Sequence, residues 1–548
     1  MITQNHVFLI EIIILLCFLI ITLSMGFPIN PTSQHFTSTT NGSLKMIKLL
    51  SATNKKRYQP SMKIFNHSST TRCLRLNSII SRRSSSLSNS CDDDKKKLGL
   101  VPITSILNAA FLVSGTTIGG GFLALPTITY PIGFVSSSIT LVGVWLFFIF
   151  QSFILVEAIQ RTREDAIIQN NKNQGLKILS SQQLNPGVST IAFNAFGKTG
   201  QLIVGILLTI LIEATLVSQI SRAGLMMFDG QNANYKLGCT LSSIFTAMIV
   251  FGPKGRGIQF ATKMNSMFTI GFLLSIVGIF GFGIQSADWT RLGLLVGLRS
   301  NSSIDFNNIS SAIPTFLQLL VYGEIVPCVC ELLDYKTNAI RLAIIIGSFM
   351  TLCLQIGWSG LGISLISSTA ASSMQFDVVN DLLQKGGLIC LPLMSLAATA
   401  ILTTILGSYL ALMSMFNNIY FKIFKQKESE QTSISNAPLK QRFAVGSMIT
   451  VPALLIASTS PTMFLRAIDF AGSYPVLLLW GILPPLIVLA QRLRWSTDSV
   501  LKKKKNSIDT SGPSYSLISL LLLSMSLVGL SARTDLTFFF NKIFGILL

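Results

Sequence analysis

The chain has 548 residues, of which 50% are hydrophobic and only 12% are charged, and its mean hydropathy is +0.59. Soluble proteins carry about 25% charged residues, so this composition excludes a series of water-soluble domains and indicates a membrane protein. All three histidines lie in the first seventy residues and the eight cysteines form no CxxC pair, so we expect no enzyme, no metal site and no bound cofactor.

The N-terminal region has the composition of a targeting sequence. An apolar run from Val7 to Leu23 precedes small residues and Phe27, which predicts a signal peptide over residues 1–25, with a signal anchor as the alternative. Residues 26–97 are rich in Ser, Thr, Asn, Lys and Arg, as transit peptides are. This order resembles the bipartite presequence of proteins imported into secondary plastids. We therefore expect a plastid envelope protein, with the plasma membrane or another endomembrane as alternatives.

The body of the chain, residues 98–533, predicts an all-α membrane protein, and a tail at 534–548 follows it. The body contains eleven apolar stretches that are long enough, or nearly so, to cross about 30 Å of hydrocarbon. The fourth and the ninth stretch are short for a membrane span. The predicted spans are 103–126, 134–158, 202–227, 238–252, 264–284, 312–333, 339–364, 388–421, 443–460, 467–491 and 514–532.

The distribution of positive charge supports this count. The net charge of +20 would also suit a nucleic-acid-binding protein. However, 24 Lys and Arg residues lie in alternate loops on one side of the predicted membrane, whereas seven lie in the opposite loops. The positive-inside rule predicts this asymmetry. We therefore expect a lipid bilayer and no nucleic acid as partner, and the first span starts on the cytoplasmic or stromal side.

The first span contains a run of glycines that predicts a broken helix. Gly119, Gly120 and Gly121 follow one another near mid-span. Each glycine costs about 1 kcal/mol in a helix interior relative to alanine, and backbone groups freed in hydrocarbon must find partners or line a polar cavity. Close helix packing through the small residues Gly115 and Gly119 is the alternative.

The sixth span is predicted to be interrupted as well. Gly323, Glu324 and Pro327 lie together in its middle. Proline removes a backbone donor and clashes with the carbonyl four residues before it. The two breaks lie about 206 residues apart (121 to 327), and each begins a set of five spans. Paired interruptions in two halves point to a transporter, and an odd number of spans makes the second half inverted.

The residues around both breaks resemble a known family. The segment SGTTIGGGFLALP, residues 114–126, is similar to the first-helix signature of the tyrosine/tryptophan permeases. These are hydroxy and aromatic amino acid permeases of the amino acid–polyamine–organocation superfamily, and this chain would be an organellar form. The similarity continues through Ser311–Pro314, Val326–Pro327 and Phe470–Gly472.

This resemblance implies a 5+5 inverted repeat of the leucine-transporter type, with broken first and sixth helices. It also implies proton-coupled symport of tyrosine or tryptophan by alternating access. The alternatives are a carrier of other neutral amino acids, a sodium-coupled carrier, a channel and a membrane-embedded enzyme.

We expect the substrate to bind at the two breaks. Its carboxylate would lie on free N–H groups of residues 116–121, at the start of the second half-helix. Its ammonium group would meet carbonyl groups of the sixth break, and its ring would enter a pocket of small and aromatic residues. The candidate substrate-binding residues are Thr116, Thr117, Gly119, Gly120, Gly121, Phe122, Phe316, Tyr322 and Gly323.

Two carboxylates are candidates for coupling transport to protons, because an ionisable group inside a membrane defaults to a functional role. Glu324 lies in the sixth break, where we expect it to be buried, and Glu213 lies midway along the third span. A structural role is the alternative for each. Sodium is the rival ion, and its site would need carbonyls of the first span and hydroxyls of the eighth. The hydroxyls available there are those of Thr399, Thr403, Thr404 and Ser408.

Overall fold

The computed structural model describes residues 101–172, 186–228, 232–251, 257–289, 306–365, 378–423, 439–497 and 514–547. The predicted signal peptide and the transit-peptide-like region lie outside the described residues. The last helix runs through Leu547, so the stretch predicted as a tail continues that helix.

The described residues form helices and no strands, which confirms the all-α fold class. A helix satisfies its backbone groups internally, as hydrocarbon requires. Every predicted span coincides with a helix or with consecutive helical segments. The helices are α1 Ile103–Thr117, α2 Leu125–Thr129, α3 Phe134–Lys172, α4 Val188–Met227, α5 Asn232–Phe251, α6 Gly257–Ser286, α7 Phe306–Leu320, α8 Val326–Leu332, α9 Thr337–Leu365, α10 Val378–Lys385, α11 Cys390–Ile423, α12 Leu439–Ala457, α13 Met463–Ala471, α14 Leu483–Thr497 and α15 Ser514–Leu547.

Fewer helices pass a strict test for membrane spans than the eleven predicted. Among the described residues, eight are long and apolar enough to cross a membrane, and the bent pair α1–α2 makes a ninth. The two remaining predicted spans are the short ones. Helix α5 is not among the eight, and the apolar part of α12, Gln441–Ala457, is shorter than the others.

Both predicted helix breaks are present. Helix α1 is followed by a 3₁₀ turn, Gly120–Ala124, and by α2, with a bend of 56°. Helix α7 is followed by a 3₁₀ turn, Gly323–Ile325, and by α8. Both α2 and α8 have a proline among their first two residues, where the backbone N–H has no intrahelical partner. Pro327 therefore starts a new helix, whereas the sequence analysis expects it to disrupt a continuous one.

The surrounding helices bring the two breaks together. The first 3₁₀ turn contacts α4, α7 and α11, and the second contacts α1 and α3. Helix α7 also packs against α13 and against a π-helical segment, Gly472–Ile482. A Cβ on Gly472 would overlap the carbonyl of Pro314, so this glycine permits the close approach that holds α7 in place.

A buried ionic network joins α3 and α14 on the side that the charge distribution predicts to be cytoplasmic or stromal. Glu157 is fully buried and pairs with Arg161 at 3.0 Å and with Arg492 at 2.9 Å. Two turns farther along α3, Asp165 pairs with Arg494 at 3.2 Å. Removing one partner of a buried ion pair costs about 3–5 kcal/mol. The network therefore fixes two helices that also line the sixth break.

Candidate functional site

The first break leaves backbone groups without helical partners. Ile118 (φ −84°, ψ 113°) and Gly119 (φ −141°, ψ −165°) are extended, so the helical ladder of hydrogen bonds stops there. The N–H of Gly120 donates to the hydroxyl of Thr404 in α11 at 2.9 Å. The N–H groups of Gly119 and Gly121 make no hydrogen bond to any described residue. The free N–H groups expected over residues 116–121 are thus reduced to these two.

The two threonines before the break belong to the last turn of α1. The hydroxyl of Thr116 donates to the carbonyl of Leu112 or Val113, each at 3.0 Å, and that of Thr117 donates to Val113 at 2.7 Å. Threonine hydroxyls commonly bond in this way to the preceding turn. Both predicted binding residues therefore use their hydroxyl protons within their own helix and have none to offer a ligand.

The sixth break is closed by side chains from other helices. The buried Tyr322 (φ −141°, ψ 11°) lies at the break, and its hydroxyl is 3.4 Å from that of Ser152 in α3. Gly323 lies against the ring of Trp480, which a Cβ would overlap. The carbonyl of Leu319, in the last turn of α7, accepts a hydrogen bond from the side-chain amide of Gln355 in α9 at 2.8 Å.

The two breaks meet at Gly121. A Cβ at this position would lie only 2.8 Å from Cδ2 of Leu319, so the absence of a side chain lets the first break approach the end of α7. The structure therefore places the first break against the last turn of α7, which leads into the sixth break, and the second 3₁₀ turn against α1.

The predicted aromatic residues are all buried. Phe122 stacks on Trp358 with 5.6 Å between ring centroids, and the Phe122 carbonyl accepts from the Trp358 indole N–H at 3.0 Å. Phe316 is fully buried, and the Tyr322 ring lies 6.3 Å from that of Phe148. These rings pack against protein in this conformation.

A small cavity lies beside the sixth break. It has room for about one water molecule, and no residue of the first break lines it. This cavity is too small for an amino acid. The cavity is lined by Phe148, Gln151, Ser152, Leu155, Tyr322, Gly323, Trp480 and Pro484.

The two candidate coupling carboxylates differ in burial. Glu324 lies in the sixth break as predicted, but its side chain is exposed, so the expectation of a buried carboxyl there is wrong. Glu213 is 5% exposed, its Oε2 has no hydrogen-bond partner, and it forms no ion pair with any described residue.

Several residues at the breaks are not among those predicted from the sequence. Gln219 of α4 faces Gly120 so closely that a Cβ on the glycine would overlap its amide. Gln355, Trp358 and Trp480 contact the breaks as described above. Their common signal is a polar or amphipathic side chain within an apolar run, since such a side chain in a membrane helix faces protein or a cavity.

Comparison with known proteins gives the family. Residues 103–503 match the model of the tryptophan/tyrosine permease family. The chain belongs to this family. The match includes both breaks and every predicted span except the last. The protein is therefore a multi-pass membrane transporter of a family of amino acid permeases, and not an enzyme.

Individual relatives are distant in sequence. Tyrosine-specific transport system 1 of Haemophilus influenzae is 25% identical over 393 residues, which cover 68% of this chain and 87% of the relative. Glutamine transporter 2 of Aliivibrio fischeri is 22% identical over 320 residues, covering 56% and 74%. The low affinity tryptophan permease of Escherichia coli is 22% identical over 249 residues, covering 45% and 55%.

Similarity to solved structures is weaker. A Na⁺-coupled sialic acid symporter in a substrate-bound outward-open state aligns with a TM-score of 0.42 and 13% identity. The alignment covers 85% of this chain and 96% of that one.

Proposed function

We propose that this permease carries tyrosine or tryptophan across its membrane by alternating access, with the substrate bound between the two helix breaks. One observation supports this most directly: Gly121 of the first break lies against Leu319 in the last turn before the sixth break, and two backbone N–H groups of the first break are unpaired among the described residues. Unpaired N–H groups at a helix break are the natural partners of a substrate carboxylate. The names of two relatives, a tyrosine and a tryptophan carrier, favour an aromatic amino acid.

We also propose that the coupling ion is a proton held by Glu213. An isolated carboxylate charge inside a membrane is costly, and Glu213 has no cation beside it among the described residues. Glu324, by contrast, has an exposed side chain. Of the hydroxyls that a sodium site could use, that of Thr404 already accepts a hydrogen bond from Gly120 and donates to Ala400. The hydroxyls of Thr399 and Thr403 donate to backbone carbonyls of α11 and keep lone pairs that could coordinate an ion, so replacing sodium decides between the two ions.

The proposal is tested with the purified protein in proteoliposomes. We expect counterflow of labelled tyrosine or tryptophan, and accumulation when a pH gradient is imposed, with no effect of replacing sodium by choline. Labelled glutamine serves as the competing substrate, because one relative bears that name. Counterflow of glutamine without counterflow of either aromatic amino acid would refute the substrate assignment.

Glu213→Gln and Glu324→Gln form a matched pair for the coupling site. Glu213→Gln should abolish accumulation driven by the pH gradient while counterflow continues, because exchange needs no net proton movement. Glu324→Gln should keep both activities. If Glu324→Gln alone loses accumulation, the proton site has been misassigned.

The cellular location is proposed from the sequence. Residues 1–97 would direct the chain to the envelope of a secondary plastid. A fusion of the first ninety residues to a fluorescent protein should then label the plastid. Labelling of the plasma membrane would favour a signal anchor instead.

A further inference from the structure

Three glutamines from three different helices lie at the first break or at the end of α7. Gln219 in α4 abuts Gly120, Gln318 precedes the sixth break in α7, and Gln355 in α9 bonds to Leu319. Gln219 and Gln355 are each 1% exposed. An uncharged amide inside a membrane protein must satisfy both of its polar ends or leave one unpaired at a cost.

The hydrogen bonds around Ser218 match the orientation of the Gln219 amide in the structure. The Gln219 Nε2 lies 3.0 Å from the hydroxyl of Ser218, and that hydroxyl donates its own proton to the Thr215 carbonyl at 2.8 Å. Because the serine has no second proton, it can only accept from Gln219. In this arrangement the amide nitrogen faces Ser218 and the amide oxygen faces Gly120 of the first break.

The same reasoning orients the other two amides. The Nε2 of Gln318 lies 3.4 Å from the hydroxyl of Thr215, which donates to the Leu211 carbonyl at 2.9 Å. The Nε2 of Gln355 faces a backbone carbonyl, which accepts only. The Oε1 atoms of Gln219, Gln318 and Gln355 are all buried without a hydrogen-bond partner. What remains unsatisfied on these side chains is a set of acceptors, which suits a ligand rich in N–H donors.

We propose that the Oε1 atom of Gln219 binds the ammonium group of the amino acid substrate and makes the permease select for α-amino groups. This inference rests on the proposed function and adds the ammonium site to it. Gly120 has no side chain, so the glutamine oxygen reaches the break, beside the N–H groups of Gly119 and Gly121 that would hold the carboxylate. Thr215, which orients Gln318, lies one turn before Gln219 on the same face of α4. The unpartnered Oε1 of Gln318 is therefore a second acceptor near Gln219.

The test compares two ligands that differ only in the ammonium group. Binding of labelled L-tyrosine to the purified protein is competed with unlabelled L-tyrosine or with 3-(4-hydroxyphenyl)propanoate. Gln219→Leu should weaken tyrosine binding roughly 10- to 100-fold, the range for a lost hydrogen bond to a charged group, and leave binding of the propanoate unchanged. Gln219→Glu keeps an acceptor oxygen at the same place and should keep the preference for tyrosine.

Gln491→Leu is the matched control. Gln491 is also a buried glutamine with an unpartnered Oε1, but it lies near the Glu157 network, where its amide donates to Thr162. This variant should keep the wild-type preference for tyrosine. A folded Gln219→Leu protein with the wild-type preference would overturn the proposal.

Two further results separate the possible failures. If Gln219→Leu does not fold, as judged by size-exclusion chromatography, Gln219→Glu decides, and loss of the preference in that folded variant overturns the proposal. If the wild-type protein binds neither tyrosine nor tryptophan, the proposed function has failed instead.

Discussion

The two helix breaks face the same physical problem and are closed in opposite ways. At the first break the backbone N–H of Gly120 has no partner in its own helix, and it donates a hydrogen bond to the hydroxyl of Thr404. At the sixth break the unpaired group is an acceptor, the backbone carbonyl of Leu319, and the side-chain amide of Gln355 donates a hydrogen bond to it. Each partner comes from a different helix, because a broken helix in hydrocarbon can satisfy its backbone only with neighbouring groups.

The glycines of the two breaks also have different neighbours. Gly120 faces the end of the Gln219 side chain, which can rotate, whereas Gly323 faces the rigid indole of Trp480. A Cβ at the first break therefore displaces a polar group that can move, and one at the sixth break displaces a packed aromatic ring. The first break therefore tolerates an added methyl group better than the sixth, because the end of an unbranched side chain yields more readily than a packed ring.

The largest effect is expected from Gly323→Ala. Its Cβ would overlap the Trp480 ring, and overpacking of a core costs about 1–3 kcal/mol. We expect a marked loss of folded protein, measured by melting in detergent.

Gly120→Ala should melt close to wild type but lose transport, because the displaced Gln219 amide no longer fits the break. Gly115→Ala is the control, since a Cβ there meets nothing within 4 Å. Equal melting of the Gly323 and Gly120 variants would remove the contrast between the breaks.

Thr404→Val should have the next largest effect. It keeps the shape of the side chain but removes the acceptor for the buried Gly120 N–H, which costs about 1–3 kcal/mol. We expect a lower melting temperature and slower counterflow. Thr399→Val is the matched control, because that hydroxyl bonds only carbonyls of its own helix. If both valine variants behave alike, the Gly120–Thr404 hydrogen bond carries no special role.

The positions of the breaks could be predicted from the sequence, but their partners could not. Three consecutive glycines, and a Gly-Glu-Ile-Val-Pro segment within an apolar run, are local signals. Thr404 lies 284 residues from Gly120, and Gln355 lies 36 residues from Leu319, so only the packing of the helices reveals them. Burial is likewise a tertiary property. The sequence analysis expects Glu324 to be buried because it lies mid-span, yet its side chain is exposed while Glu213 is buried.

Gln355→Leu should lower stability less than Gly323→Ala and Thr404→Val do. It removes the donor to the Leu319 carbonyl and leaves an acceptor without a partner. A carbonyl has two lone pairs and is found unpaired in proteins more often than an N–H, so we expect a loss of about 1 kcal/mol, below that of Thr404→Val. The leucine also replaces the unpartnered Oε1 of Gln355 with apolar surface, which offsets part of the loss. Melting of the two variants under identical conditions ranks them. A Gln355→Leu protein that is the less stable of the two would mean that the sixth break, rather than the first, depends more on its side-chain hydrogen bond.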